Sequence, residues 1–280
     1  MRQFIVENKQ IRDGLIRLEG KDYRYLRQVL RVRAGDMISV RLPDGSLSNA
    51  TAAKIYEASR TIILQLCGGT GGTITRGVQA DEITGAAAGG AASPEYWLFQ
   101  FIPKPQKFEL IVRQATECGV AVVVPVIGEY SEKSSVQALA GAKRERLERI
   151  IKEARQQSGS PVDTKVLEPV ELEKAIEMWS NGGAVCESGE SSDYVAFVLS
   201  ERDDCSGNLR STVEKTGGLE KIRRAAIAVG SEGGISPDEV RLLEEKGLFV
   251  PVHFAVNILR CETAALYGIA ALQSEINQSK

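Results

Sequence analysis

The sequence predicts a mostly parallel α/β body over residues 94–280, preceded by a small β-rich unit over residues 1–67. Three observations carry this expectation. After Pro94, β-branched apolar runs alternate with amphipathic helical stretches; before Cys67, short alternating runs are separated by turns; and a Gly/Ala-rich segment lies between the two.

In the first part, Gln3–Val6, Leu15–Leu18, Asp36–Val40, Asn49–Tyr56 and Thr61–Cys67 alternate or are β-branched and read as strands. Pro43-Asp44-Gly45 marks a hairpin turn. Lys21–Val32 departs from the strand pattern. Tyr25, Leu26, Val29 and Leu30 recur at helical spacing, and Arg24, Arg27, Gln28 and Arg31 fall on the other side, which predicts a helix with a basic face. Residues 68–92 hold eight Gly and six Ala in 25 positions with no sustained apolar period, so residues 68–93 are read as a linker.

The body follows in order. Tyr96–Phe101 is an apolar strand, Lys107–Cys118 an amphipathic helix, Val120–Val126 a β-branched strand, Lys143–Gln157 a charged helix and Glu171–Trp179 another helix. Gly183–Glu187 and Ala225–Gly230 read as strands, Pro237–Lys246 as a helix, Leu248–Phe254 as a strand and Leu259–Glu275 as a helix. Residues 188–218, rich in Ser, Asp and Glu, read as an elongated surface loop. Strands this apolar belong in a sheet covered on both faces.

Composition bounds the function. The chain has 280 residues, a net charge of −2 and 43% hydrophobic residues, as expected of a globular protein. No run reaches the roughly 18–20 apolar residues of a membrane span, and MRQFIVENKQ lacks the apolar core of a signal peptide, so a cytoplasmic address is expected. Five scattered cysteines with no C-x-x-C pair, together with a single His, argue against a disulfide framework and against a metal site. Charge is uneven: residues 1–66 carry 12 Lys and Arg against 7 Asp and Glu, a net of +5, whereas residues 98–280 carry 22 against 27, a net of −5. Polyanion binding is therefore expected at the front, with Tyr23, Arg24, Tyr25, Arg27 and Arg31 as candidate RNA contacts; a merely solvated face is the competing reading.

Two stretches carry chemistry. In Ala225–Glu239, AAIAVGSEGGISPDE, a buried strand runs into Gly230-Ser231-Glu232-Gly233-Gly234, and Ser236 and Pro237 then supply an N-cap and first-turn proline. Glycines at the carboxyl end of such a strand let backbone groups approach a ligand, although they also serve a simple tight turn. The pattern is neither a Walker loop nor G-x-G-x-x-G, which speaks against a nicotinamide dehydrogenase. In Phe254–Leu272, FAVNILRCETAALYGIAAL, a strand exit leads into an almost wholly apolar, hence buried, helix with Arg260, Glu262 and Thr263 at its start.

Together these stretches resemble the G-P-E-G-G-[IL]-S-x-x-E and L-G-x-R-I-L-R-x-E-T-A motifs of the RsmE family, the 16S ribosomal RNA uridine-N3 methyltransferases of the SPOUT superfamily. The likeness continues in Pro103, Lys104 and Lys107, in Gln114, Glu117, Gly119 and Pro125, in Ala154, Gln156, Gln157, Ser158 and Pro161, and in Tyr25–Arg31. The resemblance implies a deep C-terminal trefoil knot that binds S-adenosyl-L-methionine, a PUA-like N-terminal β-barrel for RNA, a homodimer, and 16S rRNA of the small ribosomal subunit as partner; the composition adds the expectation of no metal and no membrane. Carried over, the cofactor loops would be Gly230, Ser231, Glu232, Gly233 and Gly234, then Phe254, Ala255, Ile258, Leu259 and Arg260, backed by Thr263 and Ala264; Lys104 joins the RNA contacts. The chain departs from the family at Ser231 (usually Pro), Ala255 (usually Gly), Asn257 (usually Arg) and Tyr130 (usually Arg). These departures keep open a shifted RNA target or an RNA-binding assembly protein without turnover.

Methylation at uridine N3 requires loss of a proton whose pKa lies well above neutral, and needs no covalent nucleophile. Arg260 is the candidate that stabilises negative charge on the base, and Glu232 the candidate that positions the base or the cofactor amine. Cys261 and His253 read as structural residues.

Overall fold

The computed structural model describes residues 3–7, 10–67, 94–139, 144–180, 193–200, 208–215, 222–254 and 256–277. The chain divides into two compact units, Met1–Ala86 with Gln156–Pro161 and Ala87–Arg155 with Val162–Lys280. The expected linker at residues 68–93, the expected strand Gly183–Glu187 and Ala255 lie outside the described residues.

The first unit holds strands β1 (Phe4–Ile5), β2 (Ile11–Arg12), β3 (Leu15–Leu18), β4 (Met37–Arg41), β5 (Leu47–Tyr56) and β6 (Thr61–Leu66) in one sheet, ordered β1-β4-β5-β6-β3-β2. All neighbours are antiparallel except β1 and β4. The sequence placed the long strands within two residues and missed β2, which is too short to show a period. The β4–β5 turn forms where Gly45 takes φ +83° and Asp44 accepts from the Ser46 backbone N–H. Alternation along β3 sends Ile16 and Leu18 inward to Phe4, Leu26, Val40, Ile62 and Leu64 and leaves Leu15 exposed.

The predicted helix over Lys21–Val32 is corrected. An α-helix, α1 (Gly20–Arg24), passes into a single π-turn over Tyr25–Val29, and Arg31 is left-handed at φ +57°. The wider π-turn breaks the 100° periodicity behind the predicted faces: Leu26 is buried, Tyr25 half-buried and Val29 exposed. Tyr23, expected at an RNA-facing surface, is instead buried; its ring joins the core and its hydroxyl donates to Glu57 Oε2 at 2.6 Å.

The second unit is a parallel sheet of β7 (Glu95–Phe101), β8 (Val122–Ile127), β9 (Lys165–Val166), β10 (Val170–Glu171), β11 (Tyr194–Leu199), β12 (Arg224–Val229) and β13 (Val250–Val252). Its order is β10-β8-β7-β12-β11-β13, with β9 also paired to β8. Every pairing is parallel. Between the strands run α2 (Pro105–Glu117), α3 (Lys133–Leu139), α4 (Arg144–Ser158), α5 (Leu172–Trp179), α6 (Leu209–Lys215), α7 (Pro237–Gly247) and α8 (Cys261–Asn277). Alternation in β12 explains the two layers. Ala225, Ile227 and Val229 face Phe108, Ile111 and Val112 of α2 and Ala265, Ile269 and Leu272 of α8, whereas Ala226 and Ala228 face Leu172, Ile176 and Trp179 of α5 and Leu243 of α7.

Two expectations change here. The surface loop read over residues 188–218 contains β11, YVAFVL, buried between β12 and β13, and α6; polar flanks had masked a six-residue apolar run. Helix α8 is buried on one face only, through Cys261, Ala265, Gly268, Ile269, Leu272 and Ile276, with Tyr267 exposed. Gly268 allows that approach, since a Cβ there would lie 2.5 Å from Ile227 Cδ1.

Candidate functional site

Because the sheet is parallel, the carboxyl ends of β7, β8, β12, β11 and β13 share one edge, where open α/β sheets place their ligand sites. A cleft of about 810 Å³ lies there. Gly230–Gly234 after β12, the start of α7 and the segment after β13 form its walls, with Lys107 of α2, Tyr130 and the end of β11 completing them. Of the sequence-predicted cofactor residues, Gly230, Ser231, Glu232, Gly233, Gly234, Phe254, Ile258, Leu259, Arg260 and Ala264 line this cleft. Thr263 does not; it is exposed, and its backbone N–H donates to Arg260 O.

The glycine loop is folded onto itself. Gly234 N donates to Ser231 O at 3.1 Å, Gly233 N donates to Ser231 Oγ at 3.3 Å, and Gly234 takes φ +79°. A Cβ on Gly230 would lie 2.6 Å from the Gly234 carbonyl carbon, so loop closure itself requires this glycine. Ser236 caps α7 as the sequence predicts: its Oγ accepts from Glu239 N and Glu239 Oε2 accepts from Ser236 N at 2.8 Å. The other oxygen of Glu239 accepts from Glu129 N at 2.7 Å and so ties the loop after β8 to α7.

Two long-range ties were not visible in the sequence. Fully buried Gln100, at the end of β7, holds its Nε2 within 3.2 Å of the carbonyl oxygens of Phe101, Val229 and Gly230. The single signal was one amide in an otherwise apolar strand. The second tie occupies Glu232, whose carboxylate accepts from the Lys104 backbone N at 3.2 Å and pairs with Lys107 Nζ at 3.3 Å; Lys107 also pairs with Glu262 at 3.5 Å. Glu232 thus fastens the glycine loop to the start of α2 while it lines the cleft.

Electrostatics follow from that cluster. Burial opposes the charge of Lys107, yet neighbouring Cys261, Glu232 and Glu262 push its pKa up. Burial would raise the Glu262 carboxyl, but its own backbone N–H, the Cys261 thiol and Lys107 together hold it below the usual range. Burial, followed by the bond to Glu262, pushes the Cys261 thiol up to about 12, so Cys261 is no thiolate nucleophile. His253 Nδ1 lies 3.2 Å from Ser200 O. Arg260 is exposed in the cleft and its side chain makes no ion pair among the described residues.

The RNA candidates fare unequally. Arg24 and Arg31 are exposed, as is the Lys104 side chain at the N-cap of α2. Arg27 is committed: Nη2 pairs with Glu57 at 2.5 Å and Nη1 donates to Val32 O at 2.7 Å. Tyr25 packs on Phe4 and accepts from Gln157 Nε2 at 3.3 Å. Among the described residues, no group of three or more His, Cys, Asp or Glu could hold a metal ion, and no helix is long and apolar enough to cross a membrane.

Residues 91–273 match the RNA methyltransferase domain family. The chain is similar to ribosomal RNA small subunit methyltransferase E of Aquifex aeolicus, 31% identical over 59% of this chain and 62% of that protein. It is also similar to ribosomal RNA small subunit methyltransferase E 2 of Borreliella burgdorferi, 27% identical over 96% of each. The chain spans about 62% of the length of the first two curated relatives it matches. Among solved structures it is similar to ribosomal RNA small subunit methyltransferase E from Neisseria gonorrhoeae bound to S-adenosyl methionine, with a TM-score of 0.69 and 23% identity over 98% of this chain and 97% of that one. That likeness shows the shared fold.

Proposed function

This chain belongs to the RsmE-type family of RNA methyltransferases, and from that premise we propose that it methylates the N3 atom of a uridine in 16S rRNA of the small ribosomal subunit, using S-adenosylmethionine. The observation that carries the reading is the cleft of about 810 Å³ built by the glycine loop and the segment after β13, within the size range of small-molecule sites. Its lining suits the cofactor. Val229, Ile235, Leu259 and Ala264 offer apolar surface to a purine, and the carboxylates of Glu232 and Glu244 complement a sulfonium and an amine.

The bound cofactor would supply an electrophilic methyl group. The chain's own residues hold and orient the partners: the glycine loop and Leu259 bind, and the closed backbone at Gly230 fixes the loop before any ligand arrives. Arg260, a permanent cation open to the cleft, stabilises the charge that develops on uracil as its N3 proton leaves. Because N3 lies on the Watson–Crick edge, the uridine must be unpaired to enter.

In this reading the chain crossings around β11, β12 and β13 form the SPOUT trefoil knot, and residues 1–67 are a PUA-like barrel that contacts RNA through Arg24 and Arg31. The protein works in the cytoplasm as a homodimer; Val256 and Ile258, exposed by 45% and 81% at the cleft, support a second copy there. Transfer of labelled methyl to small ribosomal subunits lacking the modification, followed by nucleoside mass spectrometry, tests the proposal. The expected product is 3-methyluridine. A different methylated nucleoside would overturn the base and atom, and no transfer would overturn the activity.

A further inference from the structure

We infer that Tyr130 is the surface on which the methyl-accepting base stacks, an inference that rests on the reading of this cleft as an RNA methyltransferase site. Tyr130 follows β8, lines the cleft and is 45% exposed. In the sheet order β8-β7-β12-β11-β13, it approaches the glycine loop from the β8 side, whereas Ile258 and Arg260 belong to the segment after β13 on the opposite side. A planar ligand entering between those walls meets an aromatic ring on one side and an exposed cation on the other.

The base of the ring is seated in advance. A Cβ on Gly233 would lie 2.8 Å from Tyr130 Cβ and 3.0 Å from its Cγ, so the side chain rests directly on the glycine backbone. The turn beneath it is fastened at each step. Ser131 N donates to Gly128 O at 3.0 Å, Gly128 N donates to Ser131 Oγ at 3.1 Å, and Glu129 N donates to Glu239. Gly128 itself has no room for a side chain, since a Cβ would lie 2.4 Å from Phe101 Cδ1. An aromatic residue on a turn fastened in this way loses little backbone freedom when a base covers its ring, and unpaired bases are recognised by such platforms. Its hydroxyl makes no hydrogen bond among the described residues, so the fold does not need that polar group to hold the ring in place.

The test uses the full chain and 16S rRNA transcribed with 5-iodouridine in place of uridine, which on irradiation forms covalent adducts with stacked aromatic rings. Mapping the adducts by mass spectrometry is expected to find Tyr130 modified. In parallel, Tyr130→Ala should weaken RNA binding and raise the KM for RNA about 5- to 150-fold with a smaller change in kcat, whereas Tyr130→Phe, which keeps the ring, should recover most of that loss. Cofactor affinity by calorimetry should be unchanged in both. An adduct map without Tyr130, or wild-type RNA binding by Tyr130→Ala, would overturn the inference. Equal loss of cofactor affinity would also overturn it, because the ring would then be a prop for the glycine loop. Crosslinking needs no turnover. A protein that forms the Tyr130 adduct yet transfers no methyl would sustain the stacking assignment while refuting the methylation reading.

Discussion

Replacing Gly230 by Ala isolates the packing that shapes the cleft. The new methyl carbon would sit 2.6 Å from the Gly234 carbonyl carbon, 2.8 Å from its Cα and 2.9 Å from its oxygen. Carbon atoms in good contact lie about 3.5–4.0 Å apart, so the loop must open by roughly 1 Å, and no flexible side chain can yield instead. Overpacking of this kind costs about 1–3 kcal/mol, or roughly 5- to 150-fold in affinity if it falls on the ligand-bound loop. Gly234→Ala provides the contrast. Nothing lies within 4 Å of its added carbon, but its φ of +79° is unfavourable for Ala by about 1 kcal/mol. Calorimetric titration with S-adenosylmethionine is expected to rank affinity as wild type, then Gly234→Ala, then Gly230→Ala, with thermal unfolding recorded to exclude global loss of structure. Wild-type affinity in Gly230→Ala, or a larger loss in Gly234→Ala, would refute the steric argument.

Three further outcomes follow from the charges. Arg24→Glu combined with Arg31→Glu should weaken rRNA binding and lower the slope of log affinity against log salt by about 2, read by filter binding across a salt series, with cofactor affinity unchanged. Arg260→Ala should slow single-turnover methyl transfer by about 10²–10³-fold while leaving RNA affinity near wild type. In the first unit, hydrogen bonds from Tyr23 and then Arg27 hold the Glu57 carboxyl below its ordinary value of 4.5, against the opposing effect of burial. A carboxyl depressed in the folded state stabilises it above the unfolded pKa, and that contribution disappears as pH falls through the folded pKa. Acid unfolding monitored below pH 5 should therefore show a shallower loss of stability in Tyr23→Phe than in wild type.

What the sequence revealed about the site was local in the chain. Ser236, Pro237 and Glu239 signal a helix start within four positions, and both halves of that capping box are present. The glycine run after β12 likewise marks the cleft wall. Missed features depend on partners far along the chain. Lys104 and Lys107 meet Glu232 across more than 120 positions, and Gln100 meets Gly230 across 130. The burial of Tyr23 and the pairing of Arg27 were not legible because both depend on Glu57, which reaches them from just beyond β5, some 30 positions along the chain. β11 was lost for a different reason: six apolar residues between polar flanks have the length of a buried strand but lack the alternation that announces one.

These distant ties explain why the cleft exists as a formed cavity in the chain alone. Loops at the end of a parallel sheet have no ladder partners and would move independently. Here three of these connections are fastened by side chains: Gln100 joins the end of β7 to Gly230, Glu239 joins the loop after β8 to the start of α7, and Glu232 joins the glycine loop to the start of α2. The fastening carries a local cost at Gln100, where Oε1 is buried with no partner among the described residues, a situation worth about 1–3 kcal/mol. The three carbonyl contacts made by its Nε2 offset that cost, and an apolar side chain in its place would leave the Gly230 carbonyl without the amide that now anchors it. The shape of the cleft thus rests in part on polar groups of the scaffold that do not themselves line it, Gln100 and Glu239 foremost.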